Sequence, residues 1–129
     1  MKEIVVSTPN NVGTLANLAE TLGSSGVNIE SITAYGVENK AIFRIITTDS
    51  QTALKVLGKI PNAQLSVSDI LIYKMVNRPG ELGKLTKKLA NRGIDLESIY
   101  IVGKKDDYTE VALRPTEKDF EKALDLIKK

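Results

Sequence analysis

Asn77-Arg-Pro-Gly-Glu-Leu-Gly-Lys-Leu-Thr-Lys-Lys-Leu-Ala-Asn-Arg-Gly-Ile-Asp-Leu-Glu-Ser-Ile99 repeats, without a gap, the pattern of Asn10-Asn-Val-Gly-Thr-Leu-Ala-Asn-Leu-Ala-Glu-Thr-Leu-Gly-Ser-Ser-Gly-Val-Asn-Ile-Glu-Ser-Ile32 at an offset of 67 residues. Asn10 meets Asn77, Gly13 meets Gly80, and Leu15, Leu18 and Leu22 meet Leu82, Leu85 and Leu89. Gly26 then meets Gly93, and Glu30-Ser31-Ile32 meets Glu97-Ser98-Ile99. The matches fall on glycines and on apolar residues at helical spacing, positions that a fold constrains. The chain therefore reads as two copies of one architecture, expected over residues 1–67 and 68–129.

Working outward in the first copy, Ile4-Val5-Val6 is a β-branched strand that Pro9-Asn10-Asn11 ends, because proline removes a ladder donor and asparagine favours turns. From Gly13 the spacing of Leu15, Leu18, Ala19 and Leu22 predicts an amphipathic helix closed by Gly23 and Gly26. Val27, Ile29 and Ile32 resume a strand to Tyr35, and Ala41 to Thr48 is its hairpin partner across Glu38-Asn39-Lys40. Asp49 or Ser50 caps a second helix carrying Ala53, Leu54 and Leu57, Pro61-Asn62 breaks it, and Leu65 and Val67 form a fourth strand. The second copy predicts a strand from Ile70 to Met75, a helix from Pro79 to Arg92, a hairpin from Asp95 to Leu113 and a helix from Thr116 to Lys129. Pro79 suits a first helical turn. The last strand of the motif has no counterpart in this copy. The fold class is thus α+β: two ferredoxin-like βαββαβ repeats with antiparallel sheets, the second lacking its last strand. One sheet face and the edge near Leu71 to Tyr73 then need a cover, so a homodimer is expected.

The 129 residues carry 18 Lys and Arg against 16 Asp and Glu, a net +2, which by itself points to no nucleic acid or anionic membrane. With neither His nor Cys, the chain has no disulfide, thiolate nucleophile or His base, and no metal or other cofactor is expected. No enzyme is expected on these grounds, although Lys, Asp and Glu chemistry stays formally open. No apolar run approaches a membrane span, and a reducing cytoplasm is the expected setting. The strands also lack the aromatic octapeptide of RNA-recognition modules, and the first loop lacks the Cys pair of metal-transfer modules.

Candidate function lies in the repeated loop, Asn10-Asn11-Val12-Gly13 against Asn77-Arg78-Pro79-Gly80, each leading into a helix N-terminus. Free backbone N–H groups and the positive helix end attract a carboxylate, glycine permits close approach, and the Asn amide donates or accepts. The same residues also make an ordinary turn. Asn28 and Asp95, just past the glycine that ends each helix, are expected near the loop, where they would suit the ammonium of a zwitterion. Lys84, Lys87, Lys88 and Arg92 are expected to form a solvated helix face, the alternative being a dock for an acidic partner. Glu30 and Glu97 have no partnered base or nucleophile, so no catalytic residues are assigned.

Asn77-Arg-Pro-Gly-Glu-Leu-Gly-Lys-Leu, with Gly93-Ile-Asp-Leu-Glu-Ser-Ile, resembles the ACT domain, an amino-acid-binding regulatory module. The first half resembles it too, in the version of the small regulatory subunit of acetolactate synthase. The resemblance implies a ligand held between paired domains, with Asn10, Asn11, Val12, Gly13, Thr14 and Asn28 matching the first site. Asn77, Pro79, Gly80, Glu81 and Asp95 are the counterparts in the second, where Asp95 replaces the commoner Asn and would repel a ligand carboxylate. It further implies a stand-alone tandem sensor or regulatory subunit for a small amino acid, acting on a metabolic enzyme or regulator. The competing expectation is a ligand-free protein-interaction scaffold of the same fold.

Overall fold

The computed structural model describes residues 1–128, which divide into two compact units, Met1–Asp69 and a second that begins at Ile70. Lys129, the expected end of the last helix, lies outside the described residues.

In the first unit β1 (Lys2–Pro9), α1 (Thr14–Ser24), β2 (Ser31–Val37), β3 (Lys40–Thr47), α2 (Ser50–Leu57) and β4 (Gln64–Asp69) follow in order. The sheet order is β2-β3-β1-β4, antiparallel throughout, with Ile4 opposite Ile45 and Val6 opposite Phe43 on the helix side. Period-two alternation places Ile4, Val6, Phe43 and Ile45 together, and Leu18, Leu22, Ala53 and Leu57 from the helices close over them. Leu18 and Leu22 are wholly buried, each contributing about 1.5–3 kcal/mol from apolar burial. On the opposite face Glu3, also wholly buried, accepts a hydrogen bond from Arg44 at 3.1 Å.

The second unit holds β5 (Leu71–Val76), α3 (Glu81–Asn91), β6 (Leu96–Lys104), β7 (Tyr108–Pro115), a short 3-10 turn (Glu117–Asp119) and α4 (Phe120–Lys128). Its sheet has three strands in the order β5-β7-β6, and among the described residues no strand follows α4. The absent fourth strand is as the repeat alignment predicts, and β5 pairs with β7 alone in this sheet. Leu71, Met75, Val111 and Leu113 pack under Leu85, Leu89 and Ala123.

Both first helices close in the same way. Gly26 (φ 76°) and Gly93 (φ 67°) take the left-handed conformation, while Val27 N–H returns to Leu22 O and Ile94 N–H to Leu89 O, the Schellman arrangement. Two expectations shift. The segment 27–30 is an irregular approach to β2, not strand, and α3 begins at Glu81, two residues after Pro79. Gly80, at φ 86°, stands between Pro79 and the helix, and a left-handed residue cannot continue a right-handed helix. The helical period also misplaces Leu15 and Leu82, which are 47% and 43% exposed.

Candidate functional site

The loop of the first unit is held by backbone bonds. Asn10 N–H donates to Asn39 O in the β2–β3 turn at 2.8 Å, and both the N–H and Oγ1 of Thr14 donate to Asn11 O. Gly13, at φ 92°, turns the chain into α1, and no side chain caps that helix. Asn17 N–H to Gly13 O is the first bond of the helical ladder, so the N–H groups of Leu15 and Ala16 have no acceptor within the helix. The first turn of α1 also contains no acidic residue, leaving the positive end of the helix dipole without a counter-charge from that turn.

Depressions lie on both sides of this loop. One of about 250 Å³ lies on the β2 side, between Asn10, Asn11, Gly13 and Thr14 on the polar wall and Ala34, Gly36 and Phe43 on the apolar wall. One of about 320 Å³ lies on the β4 side of the same loop, lined by Asn11, Val12, Gly13, Thr14 and Asn62 among others. Another, about 390 Å³, sits at the strand ends between Thr8, Lys40 and Gln64, away from the open helix amides. The β2-side pocket joins the Asn10 carboxamide, the start of α1 and an apolar wall, a combination that suits a small zwitterion with an apolar side chain. Asn10 Nδ2 has no partner among the described residues and lies against Gly36, where an added Cβ would come within 3.2 Å of it. Gly36 is therefore a wall residue that the loop motif does not reveal, although its match to Gly103 at the same offset was available as a signal.

In the equivalent loop of the second unit the polar side chains are paired. Asn77 N–H donates to Asp107 O, as Asn10 does to Asn39 O, but Asn77 Nδ2 also donates to Lys105 O at 2.8 Å and to Asp106 O at 3.4 Å. Glu81, only 9% exposed, is the first residue of α3 where α1 has Thr14. Its carboxylate accepts from Arg78 Nη2 at 2.8 Å and lies 3.5 Å from Lys84 Nζ. The Arg78 hydrogen bond, helped by both cations, holds the Glu81 carboxyl below the usual carboxylate range.

Asn28 and Asp95 do not lie near the loops of their own units. Glu30 N–H bonds Ile46 O, and Ile46 is opposite Glu3 at the beginning of β1, whereas Asn10 follows the end of that strand. The six strand residues Ile4 to Pro9 intervene, a span of roughly 20–25 Å at about 3.3 Å per residue. In the second unit Asp95 N–H is fixed by Asp119 Oδ2 at 2.9 Å, and Asp95 O accepts from Thr116 N–H, again at the end of the sheet remote from Asn77. The expectation that each polar residue stands beside its loop is corrected: α1 and α3 each carry the chain about 16 Å back along the sheet before the glycine.

Among the described residues no group of three or more Asp or Glu is placed to hold a metal ion, and no helix is long and apolar enough to cross a membrane. Lys84, Lys87, Lys88 and Arg92 are exposed along α3.

Residues 69–129 match the family model of the ACT domain. No curated protein matches the sequence at a significant level. Among solved structures, a protein of Bacteroides thetaiotaomicron matches with a TM-score of 0.85 at 23% identity, over 98% of this chain and 85% of that one. The ligand-free regulatory subunit of aspartate kinase from Thermus thermophilus matches with a TM-score of 0.72 at 18% identity, over 98% and 90%. That of Thermus flavus matches with a TM-score of 0.64 at 18% identity, over 99% and 92%. At such identities the likeness is one of fold. The resemblance of the first half to the acetolactate synthase subunit finds no support in these matches, whose named enzyme is aspartate kinase.

Proposed function

We propose that the chain, whose residues 69–129 match the ACT domain model and whose first unit follows the same order of strands and helices, is a regulatory protein that binds a small amino acid at the first unit's loop. The observation that carries this reading is the unpartnered Asn10 carboxamide beside the uncapped start of α1, over a pocket of about 250 Å³. The ligand carboxylate meets the free N–H groups of Leu15 and Ala16, Asn10 and Asn11 supply polar contacts, and Gly13 and Thr14 shape the approach. Its side chain rests on Ala34 and Phe43. Val12, fully exposed, is free to fold over the bound molecule.

The ammonium group needs an acceptor, and Asn28 reaches it only from a second copy. The edge strand β2, pairing with β2 of another copy about a two-fold axis, runs antiparallel to it and brings one chain's loop beside the other chain's Asn28. Ile32 and Leu15, both exposed on this side, would be covered in the same step. Binding then favours the paired arrangement, and the amino acid signals through that shift to an enzyme or regulator. The fold likeness to aspartate kinase regulatory subunits supports an enzyme of amino-acid metabolism as the partner.

Calorimetric titration of the folded chain with each of the twenty amino acids tests the reading. One or a few small amino acids should give saturable heat that Asn10→Ala removes. Uniform absence of heat, with folding confirmed by circular dichroism, rejects it.

A further inference from the structure

The two loops align without a gap, yet their polar groups are spent differently. Asn10 is exposed and has no side-chain partner, whereas Asn77 gives its amide hydrogens to Lys105 O and Asp106 O. The cause lies in the neighbouring hairpin. Between β2 and β3 the tip is Glu38-Asn39, while between β6 and β7 it is Lys105-Asp106-Asp107. The longer tip still supplies the carbonyl that anchors the loop backbone, Asp107 O in place of Asn39 O, and has two further carbonyls left to receive the Asn77 side chain.

A second substitution acts in the same direction. At the first position of the helix, Thr14 in one unit is replaced by Glu81 in the other, and Glu81 is a buried carboxylate paired with Arg78 and Lys84. The chain thus provides its own anion at the positive end of α3, and the two cations that would greet a ligand carboxylate are already paired. An entering amino acid would have to displace the hairpin carbonyls from Asn77 and place its carboxylate beside that of Glu81.

We infer that the second unit is occupied by its own atoms and binds no amino acid, so that each chain takes one ligand, at the first unit; this rests on the function proposed above. Asn77 and Glu81 are then structural residues, and the hairpin tip 105–107 is the internal substitute for a ligand.

The experiment combines two readouts on the full chain: titration with each of the twenty amino acids singly, and thermal melts without ligand. Wild type, Asn10→Ala and Asn77→Ala are compared. The inference expects one site per chain, affinity lowered at least tenfold by Asn10→Ala, and affinity within twofold of wild type for Asn77→Ala. It further expects Asn77→Ala to melt about 3–6 °C lower for its lost hydrogen bonds, with Asn10→Ala within about 1 °C of wild type. Two sites per chain, or loss of binding in Asn77→Ala with an unchanged melting temperature, overturns it. If no amino acid gives heat, the function proposed above fails, and the melts still judge the inference: equal melting of the two variants refutes the structural role of Asn77, and the predicted difference sustains it.

Discussion

Gly13→Ala and Gly23→Ala place the same methyl group ten residues apart on one helix, and the structure gives the two changes opposite signs. Gly13 has φ 92°, and a Cβ built there meets nothing within 4 Å, so crowding contributes no cost and the backbone alone decides. An L-residue in the left-handed region costs about 1–2 kcal/mol. Gly23 lies inside α1 without a positive φ, and a Cβ there also meets open space. Alanine at such a helical position gains about 0.5–1 kcal/mol over glycine. The two variants should therefore differ by roughly 1.5–3 kcal/mol, with Gly23→Ala the more stable. Urea unfolding followed by far-ultraviolet circular dichroism reads the difference. With m of about 1–3 kcal/mol/M, the midpoints should stand about 1 M apart, on either side of wild type. Gly13→Asn should fall between wild type and Gly13→Ala, because asparagine tolerates the left-handed region better than alanine does. A Gly13→Ala midpoint equal to that of wild type would refute the claim that this turn must hold a left-handed residue to launch α1.

Two further outcomes are expected. Leu89→Ala, at a side chain only 1% exposed in the second core, should lower unfolding stability by about 2–5 kcal/mol in the same urea assay, against a negligible change for exposed Lys87→Ala. Asp119 is buried and accepts from Asp95 N–H, with Thr116 and Lys122 adding to the stabilisation of its charged form, which holds its pKa below the ordinary aspartate value. A depressed carboxylate pKa contributes stability that is present above the unfolded value of about 3.9 and is lost as pH falls through the folded value. Urea midpoints should accordingly drop below about pH 4 in wild type and drop less in Asp119→Asn; parallel acid limbs in the two proteins would contradict the assignment.

The repeat, the helix spans and the glycine that ends each first helix were legible because they rest on local patterns. Leu18, Leu22, Leu85 and Leu89 mark the buried stripe by spacing alone, and Gly26 and Gly93 mark the chain reversals. Three things were not legible. The exposure of Leu15 and Leu82 at the start of each helix depends on what the rest of the fold places over them, which periodicity within the helix does not encode. The distance of Asn28 from Asn10 depends on the helix running the length of the sheet between them, so proximity in the motif did not become proximity in space. The partners of Asn77 lie 28 and 29 residues away, and their reach depends on the length of a hairpin tip that the aligned loops do not include. The same tip-length difference was present in the sequence, but its effect appears only once β6 and β7 are paired.

The Schellman closure shared by the two first helices also governs how each unit tolerates change. It fixes the exit of the chain by a glycine and an apolar clasp, Leu22 with Val27 and Leu89 with Ile94, whose members are all buried. Because this lock sits at the far end of the helix from the loop, alterations among residues 10–14 or 77–81 are insulated from the entry into the following strand. Both loops can change in sequence while the framework keeps its register.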